Sequence, residues 1–227
     1  MPSTSPQVKK NAVRDYGAKI IECEPTLLAR ETTADEVIKR TNATFIHPYN
    51  NLNIIAGQGT LALEFLDQVS NLDCMVIPVG GGGLLSGTCI AAKSRNPNIR
   101  IFAAEPAKVD DCFRSFKSKK LLLGADNARS VADGLLTSLG DYTWPIIQSL
   151  VEDVFIVTEQ QIIDAMRLIW ERMKLIVEPS AAVAVAVLLY NVEFAKLKGI
   201  KSIGIVLEGG NVDLAKLPWQ IQSSARL

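Results

Sequence analysis

Four consecutive glycines, Gly80-Gly81-Gly82-Gly83, followed by Leu84, form the stretch of this 227-residue chain best suited to chemistry. They follow the apolar run Asp73–Pro78 and precede Leu84–Arg95, where Leu84, Leu85, Thr88, Ala91 and Ala92 recur at helical spacing. Glycine permits positive φ and lets bare backbone N–H groups approach a bound group. A helix N-terminus directly after the loop adds partial positive charge. The spacing predicts a seat for a phosphate monoester at a strand–loop–helix turn; the plain alternative is a flexible loop. Two further polar clusters end apolar runs. Glu105 follows Ile99–Ala104, and Glu208-Gly209-Gly210-Asn211 follows Ser202–Leu207.

The elements that must position these groups alternate in type. A helix over Val8–Tyr16, ended by Gly17, leads to a strand candidate at Ala18–Cys23. Thr32 or Thr33 can cap a helix through Asn42, with Glu36 placed for a capping box with Thr33. Thr44–His47 reads as another short strand, and the polar loop Tyr49–Asn53 as the domain boundary. This divides the chain into a partial small domain, residues 1–50, and a large domain, residues 51–227. Helices follow at Ile54–Val69 and Trp144–Leu150, with a loose connection at Phe116–Ser130 and a strand at Asp153–Val157. Thr158, boxed by Gln161, starts an amphipathic helix, and Pro179 starts an almost wholly apolar one. Strands apolar on both faces alternating with helices predict an α/β fold: a mostly parallel sheet flanked by helices. Ligands of such sheets bind beyond the C-terminal strand ends, so Gly80–Gly83, Glu105 and Glu208–Asn211 are expected on one side.

Composition excludes several classes. Twenty-four basic and 24 acidic residues give zero net charge, which argues against nucleic acid and anionic membranes as partners. The longest apolar run, Ala181–Tyr190, is too short to span a bilayer, and Met1–Lys10 lacks the apolar core of a signal peptide. Cys23, Cys74, Cys89 and Cys112 show no metal-binding spacing, so reduced thiols and a cytoplasmic location are expected. His47, the single histidine, ends a strand candidate beside Pro48 and is read as structural; no Ser-His-Asp or Cys-His arrangement can be built.

Several motifs occur in a fixed order. They are Gly80–Leu84 after Val76-Ile77-Pro78-Val79, Ala104-Glu105-Pro106 with Asp110-Asp111-Cys112, Ala132-Asp133-Gly134, Lys174 with Glu178-Pro179, and Gly209-Gly210-Asn211-Val212-Asp213. The set resembles the pyridoxal-phosphate (PLP) enzymes of the tryptophan-synthase-β fold type, in particular the serine racemase and serine/threonine dehydratase family. The resemblance implies a two-domain fold, a homodimer and an amino-acid substrate, serine or threonine. It implies that Gly80, Gly81, Gly82, Gly83 and Leu84 cradle the cofactor phosphate, and that Asp133, Gly134, Glu178 and Tyr49 line the cofactor. Tyr49 stands where the family tends to place an asparagine, with Asn50 one residue later.

Glu105, Asp111 and the carbonyl of Val109 match a divalent cation site, for Mg²⁺ or alternatively Mn²⁺ or Ca²⁺. Two carboxylates and a carbonyl suit such hard cations, while spacing alone equally allows a helix-capping acidic turn. Lys174 and Asn211 match positions of an ATP effector site. Glu208 replaces the serine that the family uses at the cofactor's pyridine nitrogen. A carboxylate there would keep that nitrogen protonated, strengthen the ring as an electron sink and favour racemisation over loss of the β-hydroxyl. The resemblance also implies that this chain is the C-terminal two-thirds of a family member. The Schiff-base lysine, a Ser-x-Gly-Asn-His loop and the opposite-face serine would lie upstream, so no catalytic residue is assigned within the chain. Its activity is expected to be impaired, and the isolated chain to dimerise or be poorly soluble through exposed sheet edges. A non-catalytic paralogue that binds a phosphate-bearing ligand or modulates a complete subunit is the second reading. An ordinary nucleotide-binding domain is a weaker third, since no acidic residue follows the glycine loop in the ribose-binding setting.

Overall fold

The computed structural model describes residues 1–125 and 128–220. The chain divides into two compact units: Met1–Ile46 with the segment from Asn211, and His47–Gly210. The first unit contains α1 (Gln7–Asp15) and α2 (Leu27–Thr41). Helix α2 is capped by Thr26, whose backbone is extended and whose hydroxyl accepts the Ala29 amide at 3.1 Å. Thr32 and Thr33, expected to cap it, lie inside the helix instead. Neither Ala18–Cys23 nor Thr44–His47 forms a strand; the first contributes one isolated parallel bridge, Cys23 to Pro2. Apolar runs become strands only where a neighbour pairs with their amides and carbonyls, and among the described residues these two have no ladder partner.

The second unit opens with α3 (Leu52–Gln68), capped by the Asn51 side chain. There follow β1 (Cys74–Pro78), α4 (Gly83–Arg95), β2 (Arg100–Pro106), α5 (Asp111–Ser118), α6 (Thr143–Leu150), β3 (Asp153–Val157), α7 (Glu159–Leu168), α8 (Pro179–Tyr190), α9 (Val192–Ala195) and β4 (Ile203–Ile205). The four strands pair in parallel in the order β3-β2-β1-β4, the α/β arrangement expected from the sequence. Helix α5 was not expected, and it takes up the first residues of the supposed loose connection Phe116–Ser130.

Both sheet faces are covered, which is why the strands read as continuous apolar runs. Met75, Ile77, Ile101, Ala103 and Val154 share a core with Ala62 of α3, Leu85 and Cys89 of α4, Cys112 of α5 and Ile147 of α6. Phe102 and Phe155 instead meet Phe194 of α9, at ring-centroid distances of 5.6 and 5.4 Å. Helix α8 packs against β1, β2 and β3, and its Ala181–Ala184 are fully buried. The capping box at α7 forms as expected: Thr158 Oγ1 accepts the Gln161 amide and Gln161 Oε1 accepts the Thr158 amide. Helix α7 then widens into one π-helical turn, Ile169–Met173, closed by Lys174 at φ 60°. Among the described residues no helix is long and apolar enough to cross a membrane.

Candidate functional site

The glycine loop leaves the C-terminal end of β1, where the Val79 amide still bonds the Ala104 carbonyl at 3.0 Å. Gly82 then takes φ +87°, which only glycine adopts without strain, and N-caps α4. Within α4 the first amide with a backbone acceptor is that of Ser86, bonded to the Gly82 carbonyl at 2.9 Å. Among the described residues no acceptor in the chain takes the amides of Gly80 through Leu85. Gly81, Gly82, Gly83 and Leu85 are nevertheless buried. Buried N–H groups seldom go without an acceptor, and six in succession at a helix N-terminus are suited to an anion. The loop is braced from α6: Thr143 Oγ1 donates to the Gly81 carbonyl at 2.8 Å, and Ser86 Oγ donates to the Thr143 carbonyl at 3.3 Å.

Three other segments converge on this loop. A Cβ at Gly80 would stand 3.0 Å from Cα of Leu135, in the short 3₁₀ turn Asp133–Leu135. In that turn the Gly134 amide donates to Ser180 Oγ at 3.1 Å, and a Cβ there would lie 3.4 Å from Glu178 Oε1. Glu178 is the N-cap of α8, and its amide donates to the Gly209 carbonyl at 3.2 Å. A Cβ at Gly209, whose φ is +81°, would come within 2.8 Å of Glu178 Oε1. Glu208 precedes it, just past β4, the parallel neighbour of β1. The ladder ends with Val76 level with Ile205, and Glu208 follows three residues later. Burial first, and then the Glu178 carboxylate, push the Glu208 carboxyl up to about 7.

Tyr49 closes the loop from another side. A Cβ at Gly81 would fall 2.2 Å from Cγ of Tyr49, and one at Gly83 would fall 3.0 Å from its Cα. His47 organises this segment: its Nδ1 accepts the amides of Tyr49 and Asn50, at 3.2 and 2.8 Å, and its ring meets that of Tyr49 edge-on. Asn50 reaches the α6 side instead, where its Oδ1 accepts the Tyr142 amide at 2.9 Å.

Glu105 ends β2 almost fully buried, its two oxygens accepting the amides of Cys112 and Phe113 at 2.9 and 2.8 Å. It therefore caps α5 from a distance. Asp111, also buried, accepts the Leu139 amide at 3.1 Å. Burial raises both carboxyls, Asp111 to about 6 and Glu105 well above the usual range, and the Asp111 charge adds to the rise at Glu105. Val109 is buried in the turn between them, its amide bonded to the Pro106 carbonyl at 3.0 Å. Two buried carboxylates with raised affinity for protons offer the hard, negative donor set that a divalent cation takes. Among the described residues no three His, Cys, Asp or Glu side chains form a metal cluster, so a cation here would rely on main-chain oxygen and water as well. Lys174 and Asn211 are both exposed and belong to different units; Lys174 Nζ donates to the Glu171 carbonyl at 2.6 Å.

A profile of the pyridoxal-phosphate dependent enzymes matches residues 1–209. The chain belongs to that family. Serine racemase of Dictyostelium discoideum is 50% identical over 220 residues, covering 96% of this chain and 67% of that protein. The β-hydroxyaspartate dehydratase of Paracoccus denitrificans is 47% identical over 221 residues, covering 96% of this chain and 68% of that protein. The structure of maize serine racemase superposes with a TM-score of 0.91 at 41% identity, covering 99% of this chain and 68% of that one. The chain thus spans about two thirds of the length of the relatives it matches. Pyridoxal phosphate fits what the residues offer: six successive amides without an acceptor in the described residues, four of them in buried residues, and the Glu208 carboxyl past β4, the neighbour of β1. Thr143 and Ser180, which brace the loop and the 133–135 turn, were not singled out in the sequence; their bonds span 62 and 46 residues and leave no local pattern.

Proposed function

We propose that this chain carries the phosphate seat and the ring-nitrogen side of a PLP-dependent serine racemase that also dehydrates serine and threonine. The observation that carries the reading is the largely buried run of acceptor-free amides from Gly80 to Leu85, in a chain 50% identical to a serine racemase. In this reading Gly80–Gly83 and Leu84 bind the phosphate, and Tyr49, Asp133, Gly134 and Glu178 wall the cofactor. When bound, pyridoxal phosphate supplies an electron sink that stabilises negative charge at the substrate α-carbon. Glu208 holds a proton at the pyridine nitrogen, which strengthens that sink. In this reading no residue of the chain is taken as the Schiff-base lysine or the opposite-face serine, so the segment is assigned binding and orientation rather than α-proton removal. A homodimer, with Lys174 and Asn211 as contacts to an ATP effector, completes the reading.

With the lysine present in the same polypeptide, L-serine is expected to give both D-serine and pyruvate. Glu208→Ser is expected to raise the share of pyruvate by about threefold, since a hydroxyl holds the nitrogen proton less firmly than a carboxylate. Chiral chromatography and a coupled pyruvate assay read both products. Formation of neither overturns the reading, and an unchanged ratio overturns the role of Glu208.

Glu105, Asp111 and the Val109 carbonyl are proposed to hold Mg²⁺ or a similar hard cation. Asp111→Ala is expected to abolish the calorimetric signal of Mg²⁺ binding. An unchanged titration would leave Glu105 and Asp111 as helix-capping groups only.

A further inference from the structure

Glu159 spends both carboxylate oxygens on a segment distant in sequence. Oε1 accepts the Ser130 hydroxyl at 2.8 Å, and Oε2 accepts the Val131 amide at 2.6 Å. Helix α7 does not need this carboxylate as a cap, because Thr158 and Gln161 already close its N-terminus. The position still suits a negative charge, since Glu159 is the first residue of the helix. It stands two residues past β3, on the C-terminal side of the parallel sheet, the side from which the glycine loop also leaves β1.

The segment it holds leads straight into the 133–135 turn. Ser130 Oγ gives its proton to Glu159 and accepts the Ala132 amide at 3.1 Å. Ala132 is fully buried, and its carbonyl accepts the Leu135 amide at 3.0 Å. Leu135 lies against the glycine loop, its Cα and carbonyl carbon 3.0 and 3.4 Å from where a Cβ on Gly80 would stand. The turn is thus tied twice, by Ser180 of α8 at the Gly134 amide and by Glu159 of α7 at its approach. Bonds to a carboxylate are the stronger kind.

We propose that Glu159 is a positioning residue for the phosphate seat: by clamping Ser130 and Val131 it fixes the 133–135 turn against Gly80. The consequence for cofactor affinity rests on the PLP reading above; the clamp itself does not.

A clamp makes a specific demand on replacements. Glutamine keeps the length of the side chain. Its Oε1 can accept the Val131 amide while its Nε2 donates to a lone pair of Ser130 Oγ. Alanine offers neither bond and leaves the Val131 amide without this acceptor. Aspartate keeps a negative charge at the start of α7 but falls one methylene short of the segment. A residue that served only as a charge at the helix end would be replaced by aspartate and not by glutamine.

The test combines ¹H–¹⁵N spectra of the free chain with binding of pyridoxine 5′-phosphate followed by ligand fluorescence. In Glu159→Ala the Gly80 and Gly134 amide resonances are expected to move together with that of Val131. Affinity should fall about fivefold, the size of one hydrogen bond. Glu159→Gln should bring the Gly80 and Gly134 resonances back near their wild-type positions and restore most of the affinity, whereas Glu159→Asp should do neither. Ser130→Ala removes one of the two bonds and should shift the same resonances by less; it serves in place of Glu159→Ala should that variant fail to fold. A lower thermal midpoint in Glu159→Ala with unmoved Gly80 and Gly134 resonances and wild-type affinity would make the residue a brace for α7 only and overturn the proposal. Rescue by aspartate rather than glutamine would overturn the clamp in favour of a charge effect. Absence of binding to the wild-type chain, with the resonances moving and returning as described, would leave the clamp standing and overturn its role for the cofactor.

Discussion

Gly81→Ala is expected to cost the chain its phosphate-dependent ligand binding and to lower its thermal midpoint. The added Cβ would lie 2.2, 2.3 and 2.4 Å from Cγ, Cδ1 and Cδ2 of Tyr49. All three are closer than carbon atoms can stand. Tyr49 has little room to retreat, because its amide is held by His47 Nδ1 and its Cα lies over Gly83. The loop cannot retreat easily either, since Thr143 holds the Gly81 carbonyl. Overpacking of this kind costs about 1–3 kcal/mol, and each kcal/mol is worth roughly 2–4 °C in a chain of this size. The amides displaced with the loop are those proposed to hold the phosphate, so affinity for pyridoxine 5′-phosphate should fall at least about tenfold, or about 1.4 kcal/mol. Gly57→Ala is the control. A Cβ there meets nothing within 4 Å, and it lies inside α3, where alanine is favoured over glycine by about 1 kcal/mol. Wild-type binding and stability in Gly81→Ala would show that Tyr49 and the loop do not form a fixed seat.

Gly87→Ala should have the largest effect on stability. Glycine inside a helix normally gains about 1 kcal/mol on becoming alanine, and here the sign reverses. The Cβ would fall 2.2 Å from the Ile55 carbonyl oxygen, 2.6 Å from the Gly59 nitrogen and 3.0 Å from the Gln58 carbonyl carbon. These are backbone atoms of α3, so no rotamer change relieves the contact. The relation is reciprocal, with a Cβ at Gly59 only 2.8 Å from the Gly87 oxygen. Relief requires α3 and α4 to separate, opening the core that Ala62, Leu85, Cys89 and Ala92 share with the sheet. A loss of about 3 kcal/mol or more is expected, a fall of roughly 6–12 °C in the midpoint followed by circular dichroism. A midpoint at or above the wild-type value would contradict the close helix contact.

The sequence and the structure agree where the signal is local. The apolar runs of β1 to β3, the Thr158–Gln161 box and the fully apolar α8 each follow from a short stretch read alone. The glycine loop was legible for the same reason: a strand, four glycines and a helix are contiguous. Disagreement arises where tertiary partners decide. Thr26 caps α2 although Thr33 and Glu36 offer the better local pattern, since the helix begins earlier than that box allows. Ala18–Cys23 has the composition of a strand but only a single bridge. Thr143 on Gly81 and Ser180 on Gly134 are long-range side-chain-to-backbone bonds, invisible to periodicity. Glu208 was legible as a departure from the family pattern, but the packing of Glu178 on the neighbouring Gly209 was not, because it joins the segment after β4 to the start of α8.

The central claim is that the Gly80–Leu85 amides seat the phosphate of a pyridoxal-type cofactor. It is tested most directly by comparing pyridoxine 5′-phosphate with pyridoxine, neither of which carries an aldehyde that could react with surface lysines. Binding followed by ligand fluorescence is expected to be at least about tenfold tighter for the phosphorylated compound, with that advantage lost in Gly81→Ala and kept in Gly57→Ala. Equal affinity for the two compounds in the wild-type chain would contradict the claim.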